Sequence, residues 1–240
     1  MSKQEHYRSR YKKKHPEWID SMTLYGDLID KEVKVGTKVL DIGCGHGEFL
    51  KDIYARTEGT YGLDPDEAGL KKNTIIKHKN VGLADEIPFE NNFFDVVVSA
   101  WVLEHVADPE KVFGEIYRVL KPGGKVIFIT PNSWNYIVWI NRLIPDKFHD
   151  YLTKKLYGRQ ENDTFQVHYR VNSVGKIEKI LSKIGFKKSR IIVNGDPTYI
   201  SFSNILFHIS CLIEWVLSLR PFQKMKVHII AEYEKGMAEF

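Results

Sequence analysis

Cysteine is nearly absent from this 240-residue sequence: Cys44 and Cys211 stand far apart, with no C-x-x-C pair. That excludes a disulfide framework and a thiolate zinc site, and it fits a reducing compartment. Residues 1–16 are too charged to form the apolar core of a signal peptide, so the cytoplasm is the expected location. No run offers the roughly 20 uncharged apolar residues that a spanning helix needs. The most apolar one, Ile200–Leu219, carries Asn204, His208 and Glu214. Charge of one sign is also scarce, the formal net charge being +4, with most of the excess at the N-terminus in Lys3, Arg8, Arg10 and Lys12-Lys13-Lys14. No recognition motif accompanies that basic run, so no nucleic-acid partner is expected. Carboxylates are not clustered at ligand spacing, and no metal is expected. A G-x-x-x-x-G-K-[ST] phosphate loop is missing, as is the G-x-G-x-x-G of a dinucleotide site.

What is present is organised around Val39-Leu40-Asp41-Ile42-Gly43-Cys44-Gly45-His46-Gly47-Glu48-Phe49-Leu50. Val39, Leu40 and Ile42 read as the end of a buried strand, Lys38–Ile42. The glycines read as a turn, and Phe49, Leu50 and Ile53 as a helix over about 47–56. Glycine lets a ligand approach the backbone with no Cβ in the way. A helix N-terminus behind it offers N–H groups without intrahelical partners. Asp41 and Glu48 would repel a pyrophosphate and suit a ligand bearing an ammonium group. An ordinary glycine-rich turn is the alternative.

The stretch resembles motif I of the class I S-adenosylmethionine-dependent methyltransferases. That resemblance implies a Rossmann-like α/β fold: a seven-stranded, mostly parallel sheet with its last strand antiparallel and helices on both faces. It also implies S-adenosylmethionine as cofactor and S-adenosylhomocysteine as product, with Asp41, Gly43, Cys44, Gly45 and Gly47 in the cofactor site. Strand 2, Thr60–Leu63, ends in Asp64-Pro65-Asp66, where the matching acid of the family, Asp64, binds the ribose hydroxyls. Asp64 as a helix cap is the alternative, and Asp66 is better placed for capping. A polar helix is expected over 66–78, then strand 3 at Val81–Ala84. Asp85-Glu86-Ile87 resembles the adenine-contacting segment, Asp85 taking the amino group and an apolar neighbour such as Ile87 the ring; a surface turn is the alternative.

Phe93–Ser99 reads as a strand covered on both faces, and the family places the methionine part of its cofactor at the strand end, here Ala100 and Trp101. His105 follows in Leu103-Glu104-His105-Val106; it is either a general base, its pKa suiting that work, or a structural histidine. Asp108-Pro109-Glu110 starts a helix with Val112, Phe113, Ile116, Val119 and Leu120 inside, and Lys121-Pro122-Gly123-Gly124 stops it. Strand 5 is Lys125–Thr130. The L-K-P-G-G and T-P-N segments again look like this family, most closely the branch holding the quinone-biosynthesis O-methyltransferases. No N-P-P-Y motif follows strand 4, which argues against amide nitrogen as acceptor.

One domain, 1–240, is expected, in four parts: a basic arm and helix (1–35), a cofactor core (36–132), an aromatic-rich cap (133–172) and the rest of the sheet (173–240) with a second insertion at 195–226. The cap follows strand 5, on the edge where ligands bind, and long insertions there tend to be functional. Trp134, Tyr136, His149, Tyr169 and Arg170 are its candidate substrate contacts, and His168 competes with His105 as base. A helix capped by Ser173 and closed by Gly185, strand 6 at about 187–193 and a last strand at Val227–Tyr233 complete the sheet. Within 200–219, Phe202, Ile205, Leu206, Ile209, Leu212, Ile213, Val216 and Leu217 share one helical face, opposite Ser203, Ser210, Glu214 and Ser218. This helix could pack on the core, rest on a membrane together with the basic N-terminus, or pair with itself in a homodimer. The expected activity is methyl transfer to a small-molecule acceptor, a lipid-linked or otherwise lipophilic hydroxyl or one on a sugar or natural product. A non-catalytic cofactor-binding module, acting as sensor or partner subunit, is the alternative.

Overall fold

The computed structural model describes residues 3–138 and 166–237. Seven strands form one sheet: β1 Lys38–Ile42, β2 Gly59–Asp64, β3 His78–Val81, β4 Phe94–Ala100, β5 Leu120–Pro131, β6 Phe186–Asn194 and β7 His228–Lys235. Their order is β3-β2-β1-β4-β5-β7-β6. Pairings from β3 through β5 are parallel, and β7 runs antiparallel to β5 and β6. The reversal of order beside β1 opens a crevice at the carboxyl ends of β1 and β4, where sheets of this kind bind ligands. Because β7 is antiparallel, its first residue, His228, pairs with Pro131 at that same edge.

Helices α1 Lys3–Lys14, α2 Ser21–Glu32, α3 Lys51–Tyr54, α4 Glu67–Lys72, α5 Pro109–Val119, α6 Val174–Ile184 and α7 Asn204–Ser218 surround the sheet. Strand alternation divides the core in two. Val97 and Phe128 face α5 and α6, meeting Phe113, Ile116, Ile177 and Leu181. Val96, Val98 and Ile127 face the opposite layer, meeting Tyr25, Ile29, Tyr54 and Leu70. Each such burial contributes roughly 1.5–3 kcal/mol, so both sheet faces are anchored and its carboxyl edge is held rigid. Asp108 caps α5 by accepting from Lys111 N at 3.1 Å. Gly185 closes α6 at φ +111°, a conformation that favours glycine.

Several local expectations change. Helix α3 starts only at Lys51, so Glu48 does not open it; its carboxylate accepts from the Thr74 hydroxyl at 3.1 Å instead. The helix expected over 66–78 ends at Lys72, because Asn73 turns the chain: its Oδ1 accepts from the N–H groups of Ile75 and Ile76. Strand β3 lies earlier than 81–84, since Asp64 already pairs with Val81 and leaves Gly82–Ala84 beyond the sheet. Ser173 stands at the N-cap of α6 but makes no side-chain cap bond.

Two larger changes concern the termini of the fold. The basic arm is helix α1, whose Tyr7 and Tyr11 are buried, Tyr7 stacking on Phe207 of α7 with ring centroids 4.9 Å apart. Helix α7 docks through a mixed face: Ser210 and Glu214 are buried with Phe207 and Leu217, while Ile205, Ile209, Leu212 and Trp215 are exposed, as are Ser203 and Ser218 of the expected polar side. The Glu214 carboxylate is matched there by Lys226 at 3.0 Å, which offsets part of the cost of burying it.

Candidate functional site

A cleft of about 1500 Å³ runs along the carboxyl edge of the sheet. Its floor is the turn after β1. Gly43 sits at φ +75° and donates its N–H to Leu63 O at 2.8 Å; a Cβ there would lie 2.1 Å from Val102 Cγ2. Gly45, at φ +44°, donates to Asp64 Oδ2 at 2.8 Å, and Asp66 N donates to Asp64 Oδ1 at 2.8 Å. Two backbone donors thus fix the buried Asp64 carboxylate at the end of β2. Asn73 ties the loop down from below, donating to Gly45 O at 2.9 Å. Asp66, as the sequence suggests, caps α4.

Asp41 lies at the end of β1 and accepts from the Tyr54 hydroxyl at 2.9 Å. Burial raises its pKa to about 7 against the Tyr54 hydrogen bond, and the Asp64 carboxylate raises it further. Cys44 belongs to the core, its Sγ packed toward Gly62; burial and the two aspartates push the thiol well above its ordinary range, so it is inert at neutral pH.

Gly43, Asp64, Pro65, Gly82, Leu83, Ala84 and Asp85 line one end of the cleft. Asp85 pairs with Lys111 at 3.1 Å. Ile87 does not reach the cleft: it is buried in the core, and its N–H donates to Glu115 Oε2 while its carbonyl accepts from Arg118. Leu83 and Ala84 are the apolar groups on the cleft wall, and Glu86 is exposed outside it. Ala100, Trp101 and Val102 form the middle, and Trp101 adopts φ +59°. A bulky residue held left-handed at a strand end marks a constrained position of the kind found at binding sites.

The other end is lined by Glu104, His105, His168, Tyr169, Tyr199 and His228. His105 Nδ1 lies 3.1 Å from Gln166 O, and the N–H groups of His168 and Tyr169 both bond Glu104 O. Of the expected substrate contacts, Tyr169 lines the cleft. Trp134, Tyr136 and Arg170 do not, Trp134 being 62% exposed on the surface. His149 lies outside the described residues. His228, Ser21, Asp196 and Tyr199 are unexpected members. The His228 ring meets Trp101 edge-on at 4.8 Å, and its Nδ1 is 3.0 Å from Ser21 Oγ. Burial lowers its pKa to about 4, the Asp196 charge opposing and the Arg8 charge assisting, so the ring is neutral at physiological pH. One signal in the sequence could have found it: the first residue of an antiparallel last strand must lie at the ligand edge.

Six carboxylates line the cleft (Asp20, Asp64, Asp85, Glu104, Asp108 and Asp196), against Arg8 as the sole Lys or Arg side chain among the described residues. That charge set suits a cationic ligand and opposes a phosphate. Among the described residues no three His, Cys, Asp or Glu side chains form a metal site.

A doubly wound sheet with a glycine floor and an acid at each of its first two strand ends is the architecture of a Rossmann-like cofactor-binding domain. Residues 40–128 match the model of the methyltransferase domain family. The ubiquinone biosynthesis O-methyltransferase of Pseudomonas fluorescens (strain SBW25) is 33% identical over 143 residues, covering 51% of this chain and 60% of that protein. The chain thus spans less than two thirds of the length of the curated relatives it matches. An S-adenosylmethionine-dependent methyltransferase from Mesorhizobium loti shares the fold with TM-score 0.57 at 18% identity, over 85% of this chain and 93% of that one. The [4+2]-cyclase SpnF shares it with TM-score 0.59 at 13% identity, over 92% and 87% of the two chains. Over residues 40–128 and in its fold, the chain is similar to the class I S-adenosylmethionine-dependent methyltransferases.

Proposed function

We propose that this chain binds S-adenosylmethionine along β1, β2 and β4 and methylates a hydroxyl of a small, lipophilic molecule held between His105, His168, Tyr199 and His228. The observation that carries the reading is the continuity of the cleft from the glycine floor to this imidazole-lined chamber. When bound, the cofactor supplies a methyl group already activated on a sulfonium, so the protein's task is alignment and exclusion of water.

The residues present fit that cofactor. Asp64, anchored by two backbone donors, keeps acceptor capacity on both oxygens for a ribose diol. Asp41, at the end of β1 behind the cleft lining, is the acid nearest the glycine floor for an ammonium group, Asp85 is an acceptor for an adenine amine, and Leu83 and Ala84 are an apolar wall for the ring. At the acceptor end the hydroxyl must lose its proton as its oxygen gains the methyl. His105, whose Nδ1–H bond to Gln166 O puts the ring lone pair on Nε2, takes that proton. His168 is the second candidate. His228, held neutral by burial, is too weak a base for that role at neutral pH and orients the acceptor instead. The O-methyltransferase names of the curated relatives support oxygen as the acceptor atom.

Calorimetric titration with S-adenosylmethionine and with NAD, followed by incubation with methyl-labelled cofactor and a lipid and sugar extract, tests the reading. Binding of the first ligand alone and label entering the organic phase are expected. Label confined to the aqueous phase would redirect the acceptor to a polar metabolite, and absence of S-adenosylmethionine binding would overturn the proposal. His105→Gln should lower kcat by roughly 10²–10⁴-fold with cofactor affinity unchanged.

A further inference from the structure

Helix α7 leaves an apolar row on its outer face. Ile205, Ile209, Leu212 and Trp215, exposed by 74%, 43%, 60% and 63%, fall on one side of it. Leu219 and Phe222, both more than 40% exposed, extend that row into the 3-10 turn Arg220–Met225. Helix α1 lies against the same helix: Arg10 donates to Asn204 Oδ1 at 3.0 Å and sits 5.0 Å over the Phe207 ring. The charges of Lys14 and Arg10 also act on the Cys211 thiol. Lys13 and Lys14 at the end of α1, and Arg220 and Lys224 in the 3-10 turn that follows α7, are exposed. From this apposition we propose that the outer face of α7, with the basic end of α1, is a docking surface for an anionic lipid bilayer.

Charge decides between the two occupants such a face could have. A two-fold pairing of α7 with a second copy would bring two α1 helices, each ending in Lys12-Lys13-Lys14, toward one another. Anionic headgroups instead complement them, while the apolar row enters the headgroup–acyl boundary. No helix among the described residues is long and apolar enough to cross a membrane, so the contact is peripheral. The same two elements border the acceptor end of the cleft, through Arg8 of α1 and Asp196 and Tyr199 in the segment leading to α7, joined by the Arg8–Asp196 pair at 3.5 Å. Docking would therefore bring the chamber close to molecules dissolved in the bilayer, which is the lipophilic acceptor class of the proposed function. The docking itself does not depend on that reading.

Flotation of the full chain with vesicles tests it, using phosphatidylcholine alone and phosphatidylcholine mixed with phosphatidylglycerol. The chain should float with the mixed vesicles, less so at high salt. The double variant Leu212→Gln/Trp215→Gln should lose about tenfold or more in partitioning. Lys13→Glu/Lys14→Glu should lose about tenfold while keeping the apolar row intact. All four side chains are exposed, and thermal melts matching the parent chain confirm that both variants fold. Failure to float, or flotation equal in parent and variants, overturns the proposal. So does a concentration-dependent dimer in sedimentation that Leu212→Gln/Trp215→Gln abolishes, which would give the face to a second copy. Flotation needs neither cofactor nor turnover, so its failure leaves the methyl-transfer reading standing, and the reverse also holds.

Discussion

Asp64 holds the glycine floor as well as facing the cleft, and its replacement should show in two readouts. Asp64→Ala removes the proposed ribose acceptor and strands the N–H groups of Gly45 and Asp66, which it now satisfies. Cofactor affinity should fall by about 100-fold, and stability by about 1–3 kcal/mol, measured by calorimetry and by denaturant unfolding. Unchanged affinity would count against the ribose role. At this scale the turn at Gly43 and Gly45 and the strand-end positions of Asp41 and Asp64 were readable from spacing, because a tight turn and an acid at a strand end are local constraints. Ile87 and Cys44 were misplaced by the same reading. One residue in a short loop faces either the ligand or the core, and only the Glu115–Arg118 clamp around the Ile87 peptide and the packing of Cys44 toward Gly62 decide which. His228 was missed because its neighbours, Ser21 and Trp101, come from distant parts of the chain.

Among the elements, the strands other than β3 and the α5 and α6 helices were readable because their hydrophobic period and stops agree with their packing. Helix α7 was not. Its apolar face is plain in the sequence, but amphipathicity names a face and not the side that docks. Lys226 meets the buried Glu214 from the far end of the following 3-10 turn, which lets a carboxylate share the docked face with Phe207 and Leu217. Burial raises the Glu214 pKa, and Lys226 opposes that rise. Lys226→Met should therefore leave a buried unpaired carboxylate and cost about 3–5 kcal/mol at pH 8. An acid whose folded pKa lies above its unfolded one penalises folding as pH rises through that interval, so the loss should shrink on acidification. Adding Glu214→Gln should recover most of it. A single variant as stable as the parent chain at pH 8 would show that α7 does not depend on this pair.

For the molecule as a whole, Asp41 and His228 give the stability profile two opposing limbs. Asp41 titrates near 7 in the folded protein because of burial, against about 3.9 when unfolded. Between those values the folded state holds the extra proton, so stability falls as pH rises and levels off above 7. His228 titrates near 4 when folded, again from burial, against about 6.5 unfolded. Across that interval the unfolded state holds the extra proton, and stability falls as pH drops. The windows overlap, so these two proton differences nearly offset each other from about pH 4.5 to 6.5. Asp41→Asn keeps an acceptor for the Tyr54 hydroxyl and removes the first limb. It should stabilise the chain at pH 8 by of the order of 2–4 kcal/mol and expose the His228 limb as a clear loss below pH 6.5. The same substitution should weaken cofactor binding, because a bound ammonium group favours the ionised carboxylate. In the parent chain that preference should make affinity fall below pH 7 and make binding release a proton; in Asp41→Asn both effects should vanish. Denaturant unfolding at pH 5 and pH 8, with calorimetry in buffers of different ionisation enthalpy, measures each part. Equal stability of variant and parent chain at both pH values would remove Asp41 as the group that trades stability for cofactor binding.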